Sequence, residues 1–233
     1  MNKKQVEEYL KDNPFRQLGD VVFNLIEDEI ISLKLQPGTK LSISKISEEL
    51  DISRTPVREA LLKLTNTGMV HKQPEGYIIA EMDTRDIEKI YLIRSMIDGK
   101  AAYLCAKQNR CPNINKLKEL TGSFNQPYEF EKVSSIDFQF HNLILLSSGN
   151  EYLLEISKSI ENKFLRIQKS NIKSLIKSNP HAIQKLIAEH NSIINYIRLN
   201  LPEMAEREMI SHLTGGLNDS LLYSQVSFDI NLK

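Results

Sequence analysis

Four side chains in the second half of the chain could hold a metal ion. Asp137 and His141 stand four residues apart, which places them on one face of a helix, and His190 and His212 lie on two later helical stretches. His190 interrupts the apolar stripe Ile183, Leu186, Ile187, Ile194 and Ile197, and His212 lies among Ala205, Met209, Leu213 and Gly216. An inward imidazole needs a partner. Three of them converging with a carboxylate suit Zn2+, with Ni2+ or another first-row divalent ion as alternatives, and leave coordination positions for water or an effector. Taken singly, each histidine also reads as a core residue with an ordinary hydrogen bond. His71 and His181 read as surface residues.

A second group could meet nucleic acid. Arg54, Thr55 and Arg58 open a helix that follows another short helix after a tight turn, a shape whose second helix fits the major groove. Arg54 and Arg58 are one turn apart and project together, where their guanidinium groups could pair with guanine edges or phosphates. From Arg54 to Lys72 the chain carries Arg54, Arg58, Lys63 and Lys72 against the single acid Glu59. The plainer alternative is a solvated face on a helix pair used only for packing.

The elements that must position these groups follow from periodicity and punctuation. Val22, Leu25, Ile26, Ile30 and Leu33 keep helical spacing until Gln36-Pro37-Gly38. Ile43, Ile46 and Leu50 mark a short helix over about 43–50 with Ser42 or Ser44 as cap. The next helix opens at Ser53 or Thr55, accepts Pro56 in its first turn, buries Val57, Ala60, Leu61 and Leu64, and ends at Asn66 before Gly68. Two β-prone runs, Met69 to Lys72 and Tyr77 to Ala80, flank Gln73-Pro74-Glu75-Gly76 and predict a hairpin with a four-residue connection, a wing. Asp83 or Thr84 can cap a helix from about Arg85, whose inner face carries Ile87, Ile90, Tyr91, Arg94, Ile97 and Ala101. Helical patterns then cover about 113–122, 128–147, 151–176, 180–199 and 202–223, separated by Pro112, Pro127, Gly149-Asn150, Pro180 and Pro202. The expected fold is mostly α: a winged helix-turn-helix over residues 1–82, then an antiparallel all-α bundle over 83–233.

Composition sets the bounds. With 30 basic and 30 acidic residues the 233-residue chain has no net charge, so any contact with DNA must come from a local patch. No apolar run reaches the roughly 18 residues of a membrane span, and MNKKQVEEYLKDNP lacks a signal peptide's apolar segment, which predicts a cytoplasmic protein. Cys105 and Cys111 match no zinc or redox spacing and are expected as free thiols.

The stretch from Pro37 to Asp83 resembles the winged helix-turn-helix of the GntR family of bacterial regulators, whose most specific run stands complete as Ser53-Arg54-Thr55-Pro56-Val57-Arg58-Glu59-Ala60-Leu61. The resemblance implies that Arg54, Thr55 and Arg58 recognise DNA and that Gly76, at the wing tip, approaches the minor groove. It departs at Ser44, where some members place an arginine, and at the acidic Pro74-Glu75. From about Thr84 to Tyr223 the chain resembles the FCD ligand-binding domain of the FadR subgroup, through Ile90-Tyr91-Leu92-Ile93-Arg94, Asp137-x-x-x-His141, Gly149-Asn150, Glu189-His190 and His212. Metal-binding members of that subgroup use one aspartate and three histidines in these places. Arg94 matches a recurrent arginine near the effector cavity, while Asp98 stands where glutamate is usual.

The expected protein is therefore a homodimeric transcription regulator, read as a repressor, that binds double-stranded operator DNA under control of a small carboxylate held at the metal, with Arg94 helping to orient it. It needs no catalysis. A metal-dependent hydrolase fused to a DNA-targeting domain is the competing reading, and a purely structural metal is a third. Against the hydrolase stands the lack of a general base, since Glu189 is adjacent to His190 and is expected to point to a different face.

Overall fold

The structure is a computed structural model that describes the chain except for Asn13, Pro180 and 231–233, with the backbone alone described at Asp12 and 223–230. It divides into two compact units, Met1–Met82 and Asp83–Lys233.

The first unit runs α1 (Lys3–Asp12), α2 (Leu18–Ile31), β1 (Lys40–Leu41), α3 (Ile43–Leu50), α4 (Arg54–Asn66), β2 (Val70–Gln73) and β3 (Gly76–Ile79). Ser42 Oγ caps α3 by accepting from Lys45 N. The helix ends where Asp51 turns left-handed, at φ 54°, and Ser47 Oγ donates to Ile52 O at 2.6 Å across the turn. Three residues thus separate α3 from α4. Val57, Ala60, Leu61 and Leu64 of α4 are buried, as are Val22, Leu25, Ile26 and Ile30 of α2, which packs against it. Pro56 sits in the first turn of α4 as expected.

The sheet has the order β1-β3-β2 and is antiparallel throughout. Two features differ from the sequence reading. Gln73 pairs with Gly76, so the wing connection is the two residues Pro74-Glu75 rather than four. A third strand, Lys40–Leu41, adds to the hairpin; two residues are too few to show alternation. Gly76 has φ +138°, and a Cβ there would lie 3.2 Å from Leu41 O, so the strand pairing itself requires glycine.

The second unit is all-helical: α5 (Thr84–Lys107), α6 (Ile114–Gly122), α7 (Phe130–Ser147), α8 (Glu151–Ser178), α9 (His181–Arg198) and α10 (Pro202–Ile230). Asp83 Oδ1 caps α5 through Arg85 N, and Asn150 Oδ1 caps α8 through Tyr152 N and Leu153 N after the left-handed Gly149. The turn expected at Pro180 lies outside the described residues. α5 packs along α10 in antiparallel sense: a Cβ on Gly216 would meet the Tyr91 ring, and one on Gly99 would meet Ile210. α5 also packs against α7, α8 and α9, and so forms the centre of the bundle. Among the described residues no helix is long and apolar enough to cross a membrane. Cys105 and Cys111 are free and buried.

Candidate metal centre and nucleic-acid interface

Arg54, Thr55 and Arg58 are all exposed at the start of α4. Neither arginine forms an ion pair among the described residues. The acids nearby are turned elsewhere: a Cβ at Gly19 of α2 would meet the Glu59 carboxylate, and Asp20 pairs with Lys63. In the wing, Glu75 Oε2 lies 4.0 Å from Lys40 Nζ, so its charge is partly offset within the sheet. The start of α4 therefore presents two unpaired guanidinium groups one turn apart, an arrangement able to meet phosphates or guanine edges.

In the helical unit, α7 supplies Asp137 and His141, α9 His190 and α10 His212. All four are buried, and one ligand atom from each lies within 4.8 Å of the others. His190 Nε2 is 3.2 Å from Asp137 Oδ1 without a hydrogen bond between them, and His190 Nδ1 has no partner at all. The His190 ring stacks on Phe140, with centroids 3.7 Å apart. His141 Nε2 and His212 Nε2 approach to 3.3 Å. Buried and unpartnered nitrogens and oxygens are costly in an apolar core. A divalent cation at the centre would satisfy Asp137 Oδ1 and one nitrogen of each imidazole, so the donor set of one carboxylate and three imidazoles fits such an ion.

The local electrostatics put Asp137 and His190 in ligating states. Burial pushes the His190 imidazole down to about 4, against the opposing pull of Asp137. Burial alone would raise the Asp137 carboxyl, but His190 and the charges of the neighbouring imidazoles outweigh it and hold it below the usual carboxylate range. A neutral imidazole and an ionised carboxylate are the forms that bind metal.

Beside the cluster lies a cavity of about 60 Å³, room for several waters. Its wall includes Asp137, His141, His212, Tyr91, Gln168 and Asn171.

Two expectations change here. Arg94 is not in the cavity lining; it lies behind it, 1% exposed, with Nη2 2.6 Å from Asp98 Oδ2, Nη1 donating to Ser157 Oγ and its guanidinium over the Phe164 ring. Arg94 is thus paired with Asp98 outside the cavity wall. Glu189 does not point away from the site: it lines the cavity, and its Oε2 accepts from His212 Nδ1 at 2.8 Å. Consecutive helical residues are only about 100° apart, and His190 and Glu189 reach the same site from neighbouring faces of α9. Asp98, Gln168 and Phe140 also touch the cluster, through His141, Asp137 and His190 respectively. These are contacts between helices and leave no spacing pattern in the sequence.

Comparison with known families decides the assignment. Residues 89–215 match the FCD domain, and residues 18–76 match the bacterial regulatory proteins of the gntR family. The chain belongs to the GntR family and carries an FCD domain. As a GntR-family protein it is similar to the HTH-type transcriptional regulator LutR of Bacillus subtilis (strain 168), 28% identical over 202 residues that cover 78% of this chain and 91% of LutR. It is also similar to the HTH-type transcriptional repressor RspR of Escherichia coli (strain K12), 22% identical over 86% of this chain and 88% of RspR. The solved structure of E. coli McbR/YncC shares the fold with a TM-score of 0.68 at 22% identity, over 91% of this chain and all of that one. A putative GntR regulator from Rhodococcus sp. RHA1 gives 0.69 at 19% identity, over 87% and 97% of the two chains. The family's domains and relatives are transcription regulators, not enzymes, which removes the hydrolase reading.

Proposed function

We propose that this GntR-family regulator is a cytoplasmic homodimer that binds double-stranded operator DNA through residues 1–82 and senses a small carboxylate through residues 83–233. The observation that carries the sensing half is the convergence of Asp137, His141, His190 and His212 within 4.8 Å at the wall of a cavity. These four residues would hold one divalent ion, in the first place Zn2+. A bound ion supplies positive charge and open coordination positions that an effector's carboxylate can fill.

On the DNA side, Arg54 and Arg58 would contact base edges or phosphates, Thr55 a phosphate, and Gly76 would bring the wing backbone close to the duplex. Exposed apolar side chains on the helical unit, Leu92 and Met96 on α5 and Tyr152 and Ile156 on α8, give a second copy of the chain surface to cover. A repressor role is supported by the relatives named as repressors: RspR, and the gluconate operon transcriptional repressor of Bacillus licheniformis.

Selection of bound duplexes from a random pool, with and without Zn2+ and a panel of small carboxylates, tests this reading. An enriched inverted repeat whose affinity changes with one carboxylate, only in metal-loaded protein, is the expected result. Failure to enrich any site under all conditions contradicts it.

A further inference from the structure

We infer that Glu189 and Asp98 are positioning residues of the metal centre: each carboxylate accepts the Nδ1–H of one histidine, Glu189 that of His212 and Asp98 that of His141, and so turns both Nε2 lone pairs inward. This rests on the metal reading above. A neutral imidazole carries one proton, and its partner decides which nitrogen keeps it. His212 Nδ1 lies 2.8 Å from Glu189 Oε2. His141 Nδ1 lies 2.9 Å from Asp98 Oδ2, within ion-pair reach though without a hydrogen bond of good geometry. With both protons on Nδ1, the two Nε2 atoms at 3.3 Å are acceptors facing each other, a contact that only a cation between them makes favourable.

Asp137 is treated in the same way by a different group. Gln168 Nε2 donates to Oδ2 and leaves Oδ1, which has no hydrogen bond, toward the cluster. Asp98 is itself held in place by Arg94, which is fixed by Ser157 and Phe164. Three of the four ligands thus have a polar partner behind them. His190 has none and is held by its stack on Phe140.

The test uses the full chain and Zn2+. In wild-type protein loaded with Zn2+, nitrogen-15 NMR of the imidazoles shows His141 and His212 protonated on Nδ1. The Glu189 side chain is 24% exposed, so its replacement leaves the core intact. Competition with a chromophoric chelator gives Glu189→Leu about 10- to 100-fold weaker Zn2+ binding, and Glu189→Gln, which keeps an acceptor, a smaller loss. His212 in metal-free Glu189→Leu shifts toward the tautomer protonated on Nε2. Wild-type protein with His212 bound through Nδ1, or Glu189→Leu within about twofold of wild type, overturns the inference while leaving the metal centre standing. A wild-type protein that takes up no Zn2+ overturns the metal reading itself.

Discussion

Arg94 and Asp98 stand one helical turn apart on α5 and form a fully buried ion pair, Nη2 to Oδ2 at 2.6 Å. Removing one member strands the other charge without water. Asp98→Ala is expected to destabilise the helical unit by about 3 to 5 kcal/mol, whereas the paired replacement Arg94→Met with Asp98→Leu costs much less, because no lone buried charge remains. Chemical denaturation of the two variants checks the order; an Asp98→Ala protein as stable as the double variant would show that Arg94 finds other support.

Gly76 was assigned to the wing tip from family resemblance, but the backbone gives a separate reason for it. Its φ of +138° and the approach of Leu41 O to 3.2 Å make a side chain there strained. Gly76→Ala is expected to destabilise the winged unit by about 1 to 3 kcal/mol and to leave metal binding unchanged. Thermal unfolding followed alongside Zn2+ titration separates the two effects.

For DNA recognition, Arg54→Ala and Arg58→Ala should each weaken operator binding by about 1 to 3 kcal/mol if the side chains contact base edges. Both are exposed, so circular dichroism should be unchanged. Fluorescence anisotropy on the selected duplex reads the loss, and a uniform loss on all sequences would assign the residues to phosphates instead.

Metal binding should stabilise the helical unit by mass action, so Zn2+ raises its Tm and a chelator reverses the rise. Acid should have the same effect as the chelator: imidazole must be neutral to ligate, so protons compete with the ion and apparent affinity falls as pH falls. Calorimetry at several pH values reads this directly. An affinity that rises in acid would exclude imidazole ligands.

What the sequence disclosed depended on whether a feature is local. Asp137 and His141 share a helix face, and His190 and His212 interrupt apolar stripes, so all four were legible from spacing alone. The helix-turn-helix was legible because Ser42, Pro56 and Gly68 punctuate it. α1 (Lys3–Asp12) was not expected, since Val6 is its one fully buried apolar residue and its stripe is short. The β1 strand was too brief to alternate. The role of Glu189 is hidden because adjacent helical residues point about 100° apart, while the cavity spans more than one face of α9. The Asp98 contact with His141 joins α5 to α7 across 43 residues, which no periodicity encodes. The inward position of Arg94 is legible from its helical spacing with Ile87, Ile90 and Tyr91, whereas its ion pair with Asp98 is shown by the structure.

One divalent ion held among Asp137, His141, His190 and His212 would give this GntR-family chain its sensing site. Elemental analysis of protein purified without chelator, followed by Zn2+ titration of chelator-treated protein, tests it most directly. Wild type is expected to carry one ion per chain and His190→Ala markedly less, with operator binding through Arg54 and Arg58 still possible. Protein that carries no stoichiometric metal and takes up none on titration would contradict it.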